Sequence, residues 1–205
     1  MVLSDKLNQS TTLLLQWTES TPDWCLQLYP NHKRANQHAA SREALHLILK
    51  NYFQEKIPAN KLRIVNHQNI ENRPDLKASL SHTKDGWAVG LICNAPHVKG
   101  VGIDLEFQDR VIKNGAEKLY LNNHDEFQNL LDLWCKKEAA FKALSPLLDH
   151  KILNKTFVLK DIVIKNNTFH LYNRDTVLGS FTTESVNIKQ QSFLLTAAYL
   201  ENLPS

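Results

Sequence analysis

Two stretches of helical periodicity, each followed by a series of short apolar runs, constrain this chain more than any other feature. In the first, Leu45, Ile48, Leu49 and Tyr52 fall at i, i+3, i+4 and i+7, one stripe of a helix. That pattern predicts a helix over about 34–53, closed by Pro58. Residues 13–28 read as short strands, 62–66 as another strand, and Arg73-Pro74-Asp75 as a loop. Two apolar runs follow, 87–93 and 101–105, divided by a turn containing Pro96 and Gly100. They read as a β-hairpin with a longer loop. The second helical stretch, 115–144, reads as two helices broken near Asn122-Asn123, with Leu130, Leu133, Trp134, Phe141 and Leu144 as an apolar face. Strands are expected at 157–164, 169–172, 177–181 and 193–199. Each half is therefore a long helix followed by strands. The expected fold is α+β, in two similar halves at 1–98 and 99–205, each a helix packed on a small antiparallel sheet. Residue-level repetition is too weak to prove a duplication.

Composition narrows the function. Of 205 residues, 42% are hydrophobic and 22% charged, which suffices for a core without disulfides or a structural metal. The formal charge of +3 is mild and no dense Lys/Arg run appears. Aromatic residues make up only 8% and do not alternate with a basic patch, so a nucleic-acid partner is not expected. Cys25, Cys93 and Cys135 are odd in number and form no C-x-x-C pair, which suits a reducing compartment. Leu13-Leu14-Leu15 is too short for a signal peptide, and nothing approaches a membrane span. A cytoplasmic protein with no membrane partner is the expectation. The nine histidines form no H-E-x-x-H, and six glycines build no phosphate loop.

Three segments carry chemistry. In Val101-Gly102-Ile103-Asp104-Leu105-Glu106, residues two apart share a face, so Asp104 and Glu106 form a carboxylate pair while Ile103 and Leu105 pack inward. Such a pair suits a hard divalent cation, and it also suits a strand end running into solvent. In Trp134-Cys135-Lys136-Lys137-Glu138-Ala139-Ala140-Phe141-Lys142, Glu138 and Lys142 stand one helical turn apart, with Lys137 on the neighbouring side. An exposed Glu/Lys pair explains them as well as a metal-bound pyrophosphate does. In Ser79-Leu80-Ser81-His82-Thr83, a hydroxyl and an imidazole at a loop-to-strand junction could donate to phosphate oxygens; His82 alone reads first as a structural histidine.

Taken in order, the Ser-His pair, the Gly-Ile-Asp-x-Glu strand and the Trp-x-x-Lys-Glu-x-x-x-Lys helix resemble the signature of the 4′-phosphopantetheinyl transferases. The length resembles the larger pseudo-dimeric type, which activates siderophore and peptide synthetases. Its two halves are related by a pseudo-two-fold axis. The resemblance implies transfer of the phosphopantetheine arm of coenzyme A to a serine of an acyl, peptidyl or aryl carrier protein, releasing 3′,5′-ADP. It implies Mg²⁺, with Mn²⁺ as the alternative, held by Asp104, Glu106 and Glu138. It assigns Lys142 and Lys137 to the coenzyme A phosphates, and Ser81 and His82 to those of the nucleotide. Arg42, with Lys33 and Arg34 behind it, is the match for residues that hold the 3′-phosphate. Glu138 or a metal-bound water would take the serine proton, and Glu126 matches an acidic position some members carry near the metal. Internal duplication makes a monomer sufficient. Three departures stand out: Arg73-Pro74 replaces the usual Lys-Pro, so the resemblance puts Arg73 where a lysine would meet a coenzyme A phosphate; Cys135 stands where Ser or Thr is frequent; and the segment between Pro74 and Ser81 is short. Two other functions fit the same residues, a relative that binds coenzyme A or carrier without turnover, and a metal-dependent phosphohydrolase.

Overall fold

The computed structural model describes residues 2–5, 10–66, 68–148, 157–172 and 174–202. They form two compact units, Met1–Ala95 and Pro96–Ser205. The first contains β1 (Val2–Asp5), β2 (Ser10–Gln16), α1 (Asp23–Leu28), α2 (His32–Tyr52), β3 (Ile64–Val65), β4 (Asn69–Ile70), β5 (Arg73–His82) and β6 (Trp87–Cys93). Its sheet is antiparallel throughout, in the order β1-β2-β6-β5-β4-β3. Asn31 starts α2, its side-chain oxygen accepting from the Lys33 and Arg34 amides at 3.0 and 3.2 Å. Ala35, Ala39, Ala40 and Ala44 form a small-residue stripe that continues into Leu45, Ile48 and Leu49, all buried. The larger three pack with Leu13, Leu76 and Ile92 of the sheet. Burying each such aliphatic side chain stabilises the unit by about 2 kcal/mol.

The second unit contains β7 (Gly100–Phe107), α3 (Leu130–Leu144), β8 (Ile162–Lys165), β9 (Thr168–Leu171), β10 (Gly179–Ile188) and β11 (Gln191–Leu200). Its sheet is also antiparallel, in the order β7-β11-β10-β9-β8. The core joins Leu133, Ala140 and Leu144 of α3 to Ile162, Phe169 and Phe181 of the sheet, with Trp134 and Phe141 at its margin. Beyond the added β1 and α1, both units follow one connectivity: strand, long helix, then four strands, the last returning beside the first. The duplication too faint to read in residues is explicit in topology, and the fold is α+β as expected.

Local expectations fail where pairing or side-chain hydrogen bonds decide the outcome. The two adjacent apolar runs are not a hairpin: β6 pairs with β2 and β5, whereas β7 pairs with β11 in the other sheet. Both runs are buried almost throughout, so no alternation tells one partner from another. Part of the 13–28 stretch is helix α1, which begins after Pro22 with Asp23 in its first turn. Arg73-Pro74-Asp75 opens strand β5 instead of a loop. Proline is tolerated there because pairing with β6 begins only at Lys77 and the β4–β5 register is irregular.

Of the two helices expected over 115–144, only α3 forms, preceded by a 3-10 turn at Ala116–Leu119. Between them the Asp125 carboxylate accepts from the Asn122 amide at 2.7 Å, and Asn122 Oδ1 accepts from the His124 amide at 3.0 Å. These local bonds compete with a helix. Strands β10 and β11 are longer than read. They are joined through Lys189 and Gln190, both at positive φ, 47° and 65°, a tight-turn geometry usually signalled by Asn-Gly.

Candidate active site

The chemistry-bearing residues of the second unit lie where α3 crosses β7. Period two along β7 turns Gly102, Asp104 and Glu106 to one face. A Cβ built on Gly102 would stand 1.8 Å from the Ala139 carbonyl oxygen, so this face lies directly against the α3 backbone. Ile103 and Leu105, on the opposite face, are buried too. Asp104 is only 5% exposed. Its Oδ1 pairs with Lys142 Nζ at 2.9 Å, and the same ammonium donates to the Ile103 carbonyl at 2.8 Å. Glu106 accepts from Trp134 Nε1 at 3.2 Å and pairs with the guanidinium of Arg110. That guanidinium lies over the Trp134 ring, 5.2 Å from its centroid.

Glu138 is half-buried beside this cluster. Burial raises its pKa, the Lys142 charge opposes the rise, Asp104 adds to it, and Arg110 opposes it. Asp104, Glu138, Lys142 and Arg110 thus form one electrostatic neighbourhood. Cys135 is buried in it as well, its thiol pushed well up by burial and then by Asp104 and Asp132. In this buried position it is an inert packing group.

The geometry revises several sequence expectations. Lys137 does not reach this neighbourhood. Its side chain is 0% exposed, and Nζ pairs with Asp125 at 2.7 Å and donates to the Ile162 carbonyl at 2.7 Å. Asp125 in turn accepts from the Ile164 amide at 2.9 Å. Lys137 therefore ties α3 to β8 and to the preceding loop, with no open side for a phosphate. Lys137→Met is expected to destabilise the protein by about 3 kcal/mol, because it strands a buried carboxylate. Urea denaturation measures this; a phosphate-contact role would instead cost activity at unchanged stability.

Glu126 is exposed, donates its amide to the Ile164 carbonyl at 2.8 Å, and lines an open cavity of about 640 Å³ with Asp132, Lys136 and Asn166. Nothing among the described residues links its carboxylate to Asp104, Glu106 or Glu138. Sequence reasoning passed over Arg110, whose four-residue offset from Glu106 was the available signal, and Asp125.

In the first unit, Ser81 and His82 do precede the 87–93 strand, but as the paired last residues of strand β5 instead of a loop. Ser81 is buried opposite Val89 and His82 is exposed opposite Ala88. Lys33 and Arg34 are exposed on the first turn of α2. Arg42 is partly buried, and its Nη1 is enclosed without a hydrogen-bond acceptor. Burial lowers its pKa, the Arg63 charge lowers it further, and Tyr29 and Cys25 oppose. An enclosed cation short of an acceptor suits an anionic ligand. Burial and Arg42 together lower the pKa of neighbouring His38 to about 4, so that imidazole is neutral at pH 7. Arg73 is committed elsewhere: it holds both oxygens of Asp75, at 2.9 and 2.7 Å, and pairs with Glu55. As the expected counterpart of a phosphate-binding lysine, it is already neutralised.

A buried acid–cation cluster therefore sits on the strand-helix crossing of the second unit. Residues 100–198 match the family model of the 4′-phosphopantetheinyl transferase superfamily. The match opens at the first residue of β7 and closes inside β11, so it spans every element of the second unit and includes the whole cluster. No curated protein matches the chain.

The described residues contain no group of three His, Cys, Asp or Glu side chains arranged to hold a metal ion. The donor set nevertheless fits a hard divalent ion. It offers carboxylate oxygens only, two of them on the same face of one strand, and Glu138 is coupled electrostatically to Asp104. What differs from the expectation is their engagement, since Asp104 and Glu106 are each held by an internal cation.

Proposed function

We propose that this protein transfers the 4′-phosphopantetheine arm of coenzyme A to a carrier-protein serine, as an enzyme of the larger, internally duplicated type. The observation that supports this reading is the Asp104–Lys142 ion pair where α3 crosses β7, with Glu138 near enough to feel both charges. Asp104, Glu106 and Glu138 would hold a divalent ion, Mg²⁺ or alternatively Mn²⁺. When bound, that ion would neutralise the coenzyme A pyrophosphate and the departing 3′,5′-ADP. Lys142, half-buried and one turn from Glu138, supplies a further positive charge to the phosphates. Arg42, Ser81 and His82 are the residues of the first unit assigned to the other phosphates.

The carrier serine Oγ forms a bond to the β-phosphorus, and the bond from that phosphorus to the bridging oxygen breaks. The oxygen leaves with 3′,5′-ADP and the serine proton passes to Glu138. A carboxylate whose basicity burial has raised is suited to that role. The three cysteines are free and buried, which supports action in the reducing cytoplasm. No helix among the described residues is long and apolar enough to cross a membrane.

The test is mass spectrometry of purified acyl and peptidyl carrier proteins after incubation with coenzyme A and Mg²⁺. A gain of one phosphopantetheine unit, lost when the carrier serine becomes alanine, is the expected result. Phosphopantetheine released without any carrier would favour a phosphohydrolase. Coenzyme A binding with no turnover on any carrier tried would favour a non-catalytic relative.

A further inference from the structure

Each acid of strand β7 has its own internal cation. Asp104 has Lys142, on the helix. Glu106 has Arg110, four residues along, after a turn closed by the Arg110 amide on the Phe107 carbonyl at 3.0 Å. The two cations differ in anchorage. The Lys142 side chain is 28% exposed and also bonded to the Ile103 carbonyl, whereas the Arg110 side chain is 40% exposed and rests on the face of Trp134. The same indole donates Nε1–H to Glu106, so it holds the carboxylate and supports the guanidinium at once.

We infer that Arg110 is a displaceable counter-cation, which competes with a divalent ion for Glu106. This rests on the proposed reading of Asp104, Glu106 and Glu138 as metal ligands. The charge balance favours displacement over addition. Three carboxylates facing Lys142, Arg110 and a divalent ion would carry a net positive charge; without Arg110 they balance to neutrality. A guanidinium at the surface end of the cluster is the cation that leaves at least cost, since an exposed ion pair is weak and salt-screened. While it remains, it keeps Glu106 from being a bare carboxylate against its like-charged neighbours. Arg110 acts through Glu106 and is a positioning residue, not a catalytic one.

The test uses the full chain, Mn²⁺ alone and electron paramagnetic resonance of the free aquo ion, at low ionic strength. Arg110→Gln is expected to bind Mn²⁺ about three- to tenfold more tightly than the unsubstituted protein, the range set by losing a competing surface ion pair and its stacking. Arg110→Lys, which keeps the charge but not the planar stack, is expected to fall between. Arg174→Gln removes an arginine of the same unit that lines a separate cavity, and it should stay within about twofold. Thermal melts check that all variants fold. Affinity in Arg110→Gln equal to or weaker than that of the unsubstituted chain overturns the inference, as does equal tightening in Arg174→Gln. If Asp104→Ala lowers Mn²⁺ affinity while Arg110→Gln does not raise it, only the role of Arg110 falls. If neither the unsubstituted chain nor Arg110→Gln binds Mn²⁺, the metal reading falls and takes this inference with it.

Discussion

Asp104→Ala and Glu138→Gln are each expected to lower phosphopantetheine transfer by about 10³-fold or more while the protein remains folded. The two differ in what they do to stability, and that difference makes the pair informative. Asp104 is buried and bonded to Lys142, so its removal deletes one charge-assisted bond. Lys142 keeps the Ile103 carbonyl and is open enough to water to hydrate, which limits the cost to about 1–2 kcal/mol.

Glu138 behaves oppositely, because its pKa in the folded protein stands above its unfolded value. Such a group contributes its stability at pH below the unfolded value, and that contribution is lost as pH rises through the folded one. Burial thus penalises the charged form of this carboxyl, and Glu138→Gln, which removes the charge, is expected to be neutral or mildly stabilising. Carrier mass shift against time reads the activity, and urea denaturation at pH 7 reads the stability. Transfer within about tenfold of the unsubstituted protein in either variant would remove that carboxylate from the metal assignment.

Gly102→Ala is expected to cost the second unit about 3 kcal/mol or more, although it adds a single methyl group. A Cβ there would stand 1.8 Å from the Ala139 oxygen, 2.8 Å from its carbonyl carbon and 2.8 Å from the Ala143 nitrogen. All three are backbone atoms of α3, so no flexible side chain can move aside. The helix must lift off the strand or the strand must bend. Glu138 and Lys142 ride on the same turns as Ala139 and Ala143, so any retreat draws them from Asp104. Transfer activity should therefore fall together with stability. On α2 of the first unit the corresponding closeness is milder, since a Cβ on Gly90 would meet Leu45 Cδ2 at 3.0 Å, the Leu45 backbone nitrogen at 3.2 Å and the Ala44 Cβ at 3.3 Å. Gly90→Ala should be the gentler change in the same urea titration. A Gly102→Ala loss under about 1 kcal/mol would mean the strand and helix are not packed backbone to backbone.

Much of the site was legible because its spacings are local. Asp104 and Glu106 share a face through the two-residue period of a strand, and Glu138 and Lys142 through one turn of a helix. The helix at 34–53 was legible through its leucine and isoleucine stripe, which survives as the buried edge of α2. The failures share a cause as well. Lys137 and Lys142 lie on one helix, and periodicity cannot tell which of them meets the β8 carbonyl and which meets Asp104. Arg110 follows the strand in an irregular turn, with no period to mark it. The β6–β7 pair was misread because both runs are buried almost throughout, so burial names no strand partner for either.

By itself the sequence determined the α+β alternation of elements, the face each carboxylate takes along its strand, and the resemblance carried by three short blocks. These follow from backbone geometry and side-chain spacing, which act over a few residues. Only the tertiary structure decided that Lys137 is a sealed structural cation, that Arg73 is already neutralised, and that Arg110 pairs with Glu106. Those outcomes depend on which elements come within a few ångströms and how much water they exclude. Coulomb energy and desolvation act through space, where distance along the chain has no say.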